Sequence, residues 1–214
     1  MDKNILKKVD FKKLDYQLKY EKKASAQYSV MLLLVDYEDE LHMLFELRSK
    51  LLSLQSQPGD VSFPGGFCEN ADTVTEALRE THEEIGLLPQ DIEICGIMAD
   101  MTAGSGRTIT PIVGYVPHFR WEMLKLNPKE VEEVFLVPLQ YFMENEPEKH
   151  HVEYKPFFKD DFPFDKIANG RNYRWKKRSN DILFYFYKQY SIWGFTATMT
   201  NHFIYILKKY LAEN

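Results

Sequence analysis

Apolar residues recur along this chain at two spacings, and the switch between them marks out the elements. In YSVMLLLVDY (28–37) and LHMLFELRS (41–49) the β-rich runs flank the polar turn EDE, which predicts a hairpin. A polar stretch with Pro58 and Gly59 leads into DVSFPGG, read as a short strand ending in a Gly-Gly loop. Helical spacing takes over at 73–86. Thr73 followed by Glu76 predicts a capping box, and Gly86 is placed to end the helix in a left-handed conformation. Strands are expected near 92–99, 109–116 and 131–137, with loops GSGR and LNP between them. An irregular segment at 145–180 follows, then a strand at 181–190 and a closing helix at 197–211. Residues 1–26 place Ile5, Leu6, Val9, Phe11 and Leu14 at helical spacing, an amphipathic lead-in to a single domain at 27–214. Strands and helices intermix, so the expected class is α/β (α+β), a mixed β-sheet sandwiched between helices.

Composition narrows the function more than the fold. A hydrophobic share of 44% and a charged share of 28% are ordinary for a globular protein. A formal charge of −5 argues against a general nucleic-acid binder, yet leaves room for an anionic small molecule beside a bound cation. Two cysteines, Cys68 and Cys95, supply neither a disulfide framework nor zinc spacing. No run has the length of a membrane span or a signal-peptide core, so no membrane role and a cytoplasmic location are expected.

The helix at 73–86 carries the chemistry. At 100° per residue, Val74, Leu78, Thr81 and Ile85 gather on one side with Ala77 at the edge, the face expected to pack on the sheet. Glu76, Glu80, Glu83 and Glu84 gather on the other. Most acidic stripes are solvated helix faces. Carboxylates this close repel, however, and an oxygen-loving divalent cation, Mg²⁺ or Mn²⁺, relieves that repulsion. The helix is also entered through Pro64-Gly65-Gly66, where glycines allow a tight turn or close approach to a ligand.

The segment PGGFCENADTVTEALRETHEEIGL (64–87) resembles the Nudix box. The second half of that pattern is matched by Arg79-Glu80-Thr81-His82-Glu83-Glu84-Ile85-Gly86-Leu87, with Thr81 standing where an apolar residue is usual. In the first half, the box Gly falls on Gly65 and the box Glu falls on Ala71, with Asp72 beside it. The resemblance implies a Nudix fold, metal binding by Glu80, Glu83 and Glu84, and a carboxylate oriented by Arg79. It further implies hydrolysis of a nucleoside diphosphate, with Glu80, Glu83 or a loop acid, Glu130, taking the proton.

Upstream, LFELRSKLLSLQSQPGDVSFPGG (44–66) resembles the extra motif of the coenzyme A pyrophosphatase branch, through Arg48-Ser49 and Gly59-x-Val61-x-Phe63-Pro64-Gly65-Gly66. EVEEVFLVPL (130–139), TPIVGYV (110–116) and IWGFTA (192–197) extend that likeness over most of the domain. The motif's second Arg is absent, with Ser53 or Gln55 nearby. The resemblance thus implies coenzyme A or an acyl-CoA as substrate, with Arg48, Ser49, Gly65 and Gly66 in contact with it; the substrate's phosphates call for cations beyond the metals, and Lys50 is a further candidate. Arg107 reads as a surface charge, RNYRWKKR (171–178) as a solvated hairpin tip, His150-His151 as a loop, and His82 as solvent-facing. Two alternatives stay open: an ADP-ribose or NADH pyrophosphatase, and a Nudix ligand-binding module without catalysis. Homodimerisation is left open.

Overall fold

The computed structural model describes residues 27–53, 57–69, 72–102, 107–176 and 178–213; the lead-in expected at 1–26 lies outside them. In chain order the strands and helices are β1 (Gln27–Tyr37), β2 (Glu40–Arg48), β3 (Val61–Ser62), β4 (Gly65–Phe67), α1 (Thr73–Ile85), β5 (Glu93–Ile97), β6 (Met101–Thr102) and β7 (Thr108–Val116). They continue with β8 (Val131–Pro138), α2 (Leu139–Glu144), β9 (Glu148–Tyr154), β10 (Arg178–Tyr187), β11 (Tyr190–Trp193) and α3 (Gly194–Glu213).

β1 and β2 form the expected hairpin, closed by Glu38 and Asp39, both at positive φ, as a tight turn matched to strand twist requires. β1 pairs antiparallel with β2 and, on its other edge, parallel with β7. β8 and β3 flank β2, β5 and β6 flank β7, and β4 pairs with the start of β1. The sheet is therefore mixed, and the chain between β1 and β7 includes α1 as part of the crossover that a parallel pair needs.

Alternation along the hairpin divides the core in two. Leu32, Leu34, Met43 and Phe45 point to one face and pack with Phe142 of α2 and Phe203 and Leu207 of α3. Met31, Leu33, Val35 and Leu44 point to the other and pack with Ala77 and Ile85 of α1. The expected sandwich of helices about a mixed sheet is what the chain forms.

Local details depart from the sequence reading. The cap of α1 is Asp72, not Thr73: its carboxylate accepts from the amides of Val74 and Thr75 at 3.1 and 3.3 Å, because Asp72 is the last extended residue and Thr73 is already helical. Gly86 does end the helix at φ 81°, its amide bonded to the carbonyl of His82. The segment 145–180 is not wholly irregular, since β9 occupies 148–154 and pairs with β10 in a second sheet of order β11-β10-β9. The strand expected at 181–190 is split, with β10 and β11 meeting at a turn through Lys188 and Gln189.

Candidate active site

The helix's acidic face is less uniform than its wheel suggests. Glu83 is half exposed, whereas Glu76 and Glu84 are buried, at 4% and 3% exposure. Glu84 turns toward the sheet, where the backbone amide of Gly65 donates to its Oε2 at 2.8 Å. Glu80 lies against the next residue: a Cβ on Gly66 would come within 2.5 Å of its carboxyl oxygen. The Gly-Gly pair thus serves as the surface on which two helix carboxylates rest, with backbone where side chains would collide.

Arg79 binds the remaining acids together. Its guanidinium donates to Glu76 at 3.1 and 3.0 Å, to Glu80 at 2.6 Å and to Glu83 at 2.8 Å. Glu83 and Glu76 contribute most to holding Arg79 in its charged form. Thr81, the departure from an apolar position, is fully buried, and its hydroxyl donates to the carbonyl of Ala77 within the helix. The burial is bought without an orphaned donor. Ala71 lies outside the described residues, and neighbouring Asp72 is committed to the helix cap.

From the sheet comes an acid that the sequence reading missed. Glu46 shares its face of β2 with Leu44, so it points toward α1 from a fully buried position. Its Oε1 accepts from Ser62 Oγ at 2.8 Å and lies 3.5 Å from Arg48. Its Oε2 is buried with no hydrogen-bond partner among the described residues. The available signal was an acid set between apolar residues in LHMLFELR; only the hairpin register says which face it takes.

Electrostatics unite these groups. Burial pushes the Glu46 carboxyl up, opposed by Ser62 and Arg48 and reinforced by Glu130 and Glu80. Burial likewise pushes Glu84 up, and the charge of Glu46 adds to it. Glu80 is raised by burial against the pull of Arg79. Glu46, Glu80 and Glu84 therefore feel one another between β2 and α1, with the charge of Glu130 acting on Glu46 and Glu80, an all-oxygen set in which ionisation of the first three is opposed until positive charge arrives.

The other predicted residues divide by position. Arg48 sits at a register shift against β8, with its amide bonded to Asp60 and its carbonyl to Gly59, a bulge that re-aims its side chain. Glu130 is half-buried and accepts from Asn127 Nδ2 at 3.3 Å. Ser49 is buried, and its hydroxyl donates to the carbonyl of Pro128, tying the end of β2 to the Glu130 loop. Lys50 is on the surface, paired with Glu132 at 3.0 Å. Arg107 lies over the Tyr28 ring, 5.3 Å from its centroid, and His82 is exposed.

The buried, unpartnered oxygen of Glu46 beside three further carboxylates fits a divalent cation, which takes oxygen ligands and cancels their repulsion. In the present side-chain arrangement no group of three acids, histidines or cysteines among the described residues closes into a cage. Arg79 occupies Glu80 and Glu83 instead. No helix among the described residues is long and apolar enough to cross a membrane.

A family model for the NUDIX domain matches residues 27–161. A mouse (Mus musculus) protein described as peroxisomal coenzyme A diphosphatase NUDT7 is 35% identical over 139 residues, which cover 64% of this chain and 57% of the mouse protein. A Photorhabdus laumondii protein described as uncharacterized Nudix hydrolase NudL is 32% identical over 155 residues, 72% of this chain and 71% of that one. A human (Homo sapiens) protein described as mitochondrial coenzyme A diphosphatase NUDT8 is 28% identical over 167 residues, 77% of this chain and 62% of the relative.

Proposed function

Since the chain belongs to the Nudix hydrolase family, we propose that it is a divalent-cation-dependent pyrophosphohydrolase that cleaves coenzyme A or an acyl-CoA. The products are adenosine 3′,5′-bisphosphate and (acyl-)4′-phosphopantetheine. The observation that carries the reading is the set of carboxylates on the Gly65-Gly66 platform, with Glu84 on the Gly65 amide and Glu80 against Gly66.

A bound Mg²⁺ or Mn²⁺ supplies charge neutralisation at the diphosphate and a more acidic water. Glu80, Glu83 and Glu84 are the residues that hold it. Arg79 positions Glu80 and Glu83, limiting the directions in which their oxygens point. Glu80, Glu83 or Glu130 accepts the proton of the attacking water; Glu130 belongs to the loop tied to the C-terminal end of α1, where the Asn127 amide donates to the Glu84 carbonyl. Gly65 and Gly66 admit the phosphates close to the backbone, Arg48 and Lys50 contact the substrate, and Ser49, buried with its hydroxyl on the Pro128 carbonyl, serves the substrate site by holding that end of β2 in place.

The coenzyme A assignment draws support from the descriptions of the mouse and human relatives and from Arg48-Ser49 with Gly59-x-Val61-x-Phe63-Pro64-Gly65-Gly66. The absent second Arg favours a second reading, an ADP-ribose or NADH pyrophosphatase. Assaying CoA, acetyl-CoA, ADP-ribose, NADH and dinucleoside polyphosphates side by side with Mg²⁺ and Mn²⁺ separates the two. A higher kcat/KM for a substrate lacking the pantetheine arm would sink the CoA assignment and leave the reaction class standing. The reading extends to a cytoplasmic enzyme, Cys68 and Cys95 both being free thiols.

A further inference from the structure

We propose that Glu46 of β2 ligates the divalent cation together with the acids of α1, so that the site takes oxygen from the sheet as well as from the helix. This rests on the cation-dependent reading above and adds to it a residue outside the α1 segment.

Three observations converge on Glu46. Its side chain is fully buried, and Oε2 has no hydrogen-bond partner among the described residues. Buried polar atoms are almost always partnered, and a lone carboxylate oxygen in an interior costs several kcal/mol. Ser62 and Arg48 both address the other oxygen, Oε1, at 2.8 and 3.5 Å. The second oxygen is thereby left for something else.

The second observation is direction. Glu46 lies on the face of the sheet covered by α1, in register with Ser62 of β3 and Val134 of β8. Glu84 reaches the same layer from the helix, anchored on the Gly65 amide three residues beyond Ser62. The third is the company it keeps, for Glu84, Glu80 and Glu130 all act electrostatically on Glu46 or are acted on by it. Arg48 brings a positive charge to Glu46, but it approaches the oxygen already engaged by Ser62. A divalent ion is the partner that an unengaged oxygen among like charges calls for.

The test uses the full chain and Mn²⁺ itself as the probe, measuring its affinity by calorimetry and by loss of the free-ion EPR signal. Parent, E46Q, E46T and E84Q are compared, with E146Q as a surface control, since Glu146 pairs with Lys208 on the exposed side of α3. The expected result is a Kd for Mn²⁺ raised at least ~10-fold in E46Q and E46T, with the metal-free melting temperature held or raised and E146Q matching the parent. A folded E46Q that binds Mn²⁺ as the parent does overturns the role of Glu46, whatever E84Q shows. If E46Q does not fold, E46T decides; failure of both to fold, with no rescue by Mn²⁺, makes Glu46 a residue of the fold and likewise overturns the proposal. A parent that binds no Mn²⁺ brings down the cation-dependent reading as well, which distinguishes the two failures.

Discussion

Arg79 donates a 2.6 Å hydrogen bond to the carboxylate of its own sequence neighbour, Glu80, while reaching one helical turn onward to Glu83 at 2.8 Å. One planar guanidinium thus fixes two acids that a helix alone would leave free to rotate. Lysine has the charge without the fork. R79K is expected to lower kcat about 10- to 100-fold while circular dichroism stays native, a loss typical of removing a group that orients ligands. Unchanged kcat in steady-state assays would mean that Glu80 and Glu83 need no such restraint.

Glu83 is half exposed, so its substitution leaves the core untouched. E83Q should cost under about 0.5 kcal/mol in urea unfolding. Turnover should fall about 10²-fold or more. A parent that binds nucleotides without measurable turnover would instead mark the chain as a binding module.

Adding a methyl group at Gly66 tests the platform. Its Cβ would crowd the Glu80 carboxyl at 2.5 Å, the end of a flexible side chain rather than backbone. G66A should therefore fold with nearly the parent melting temperature yet lose about 10²-fold in kcat, because the acid is displaced by roughly an ångström. Parental activity in G66A would show that the position of Glu80 is not critical.

The raised carboxyls of Glu46 and Glu84 set a pH dependence with a definite sign. Both are pushed above the ordinary carboxylate value of 4.5, so the folded chain binds more protons than the unfolded chain above that pH. Metal-free stability is then greatest near the ordinary value and falls as pH rises through the shifted values. Differential scanning calorimetry should show the melting temperature declining from pH 5 to pH 8, and Mn²⁺ should restore more at pH 8 than at pH 6. A metal-free melting temperature that climbs over that range contradicts the arrangement.

What the sequence disclosed, and what it hid, follows from periodicity. A capped amphipathic helix and two long apolar strands announce themselves locally, so α1, the hairpin and the sandwich were legible. The register of Glu46 with Ser62 and Val134 is a non-local fact, and an isolated acid in LHMLFELR carries no mark of its facing partner. The helix wheel grouped Glu76 and Glu84 with Glu80 and Glu83 on one acidic face because a wheel knows one helix; that the two are buried, Glu84 on the Gly65 amide of the sheet, lies off its diagram. β9 was missed because EKHHVEY is mostly exposed and packs little, its order coming from the ladder with β10.

On the face of the sheet away from α1, Tyr190 stacks on Phe135 at 3.6 Å and 4°, and its hydroxyl donates to Glu133 at 2.6 Å. This contact braces β8, the neighbour of the strand that bears Glu46. Y190A should cost about 3 kcal/mol or more of stability, and Y190F about 1 kcal/mol, as read from denaturant midpoints. Equal losses for the two would assign the contact to the hydroxyl alone.

Every residue from Gln27 to Val35 finds its parallel mate between Thr108 and Val116. During synthesis the hairpin therefore emerges with one side unmatched, and the acidic helix emerges before the strand that will complete the sheet beneath it. Such late, long-distance zippering slows folding and leaves an adhesive border on the nascent chain. A ribosome stalled before Val116 would thus display a fragment that holds all four helix glutamates but is prone to clump rather than to catalyse.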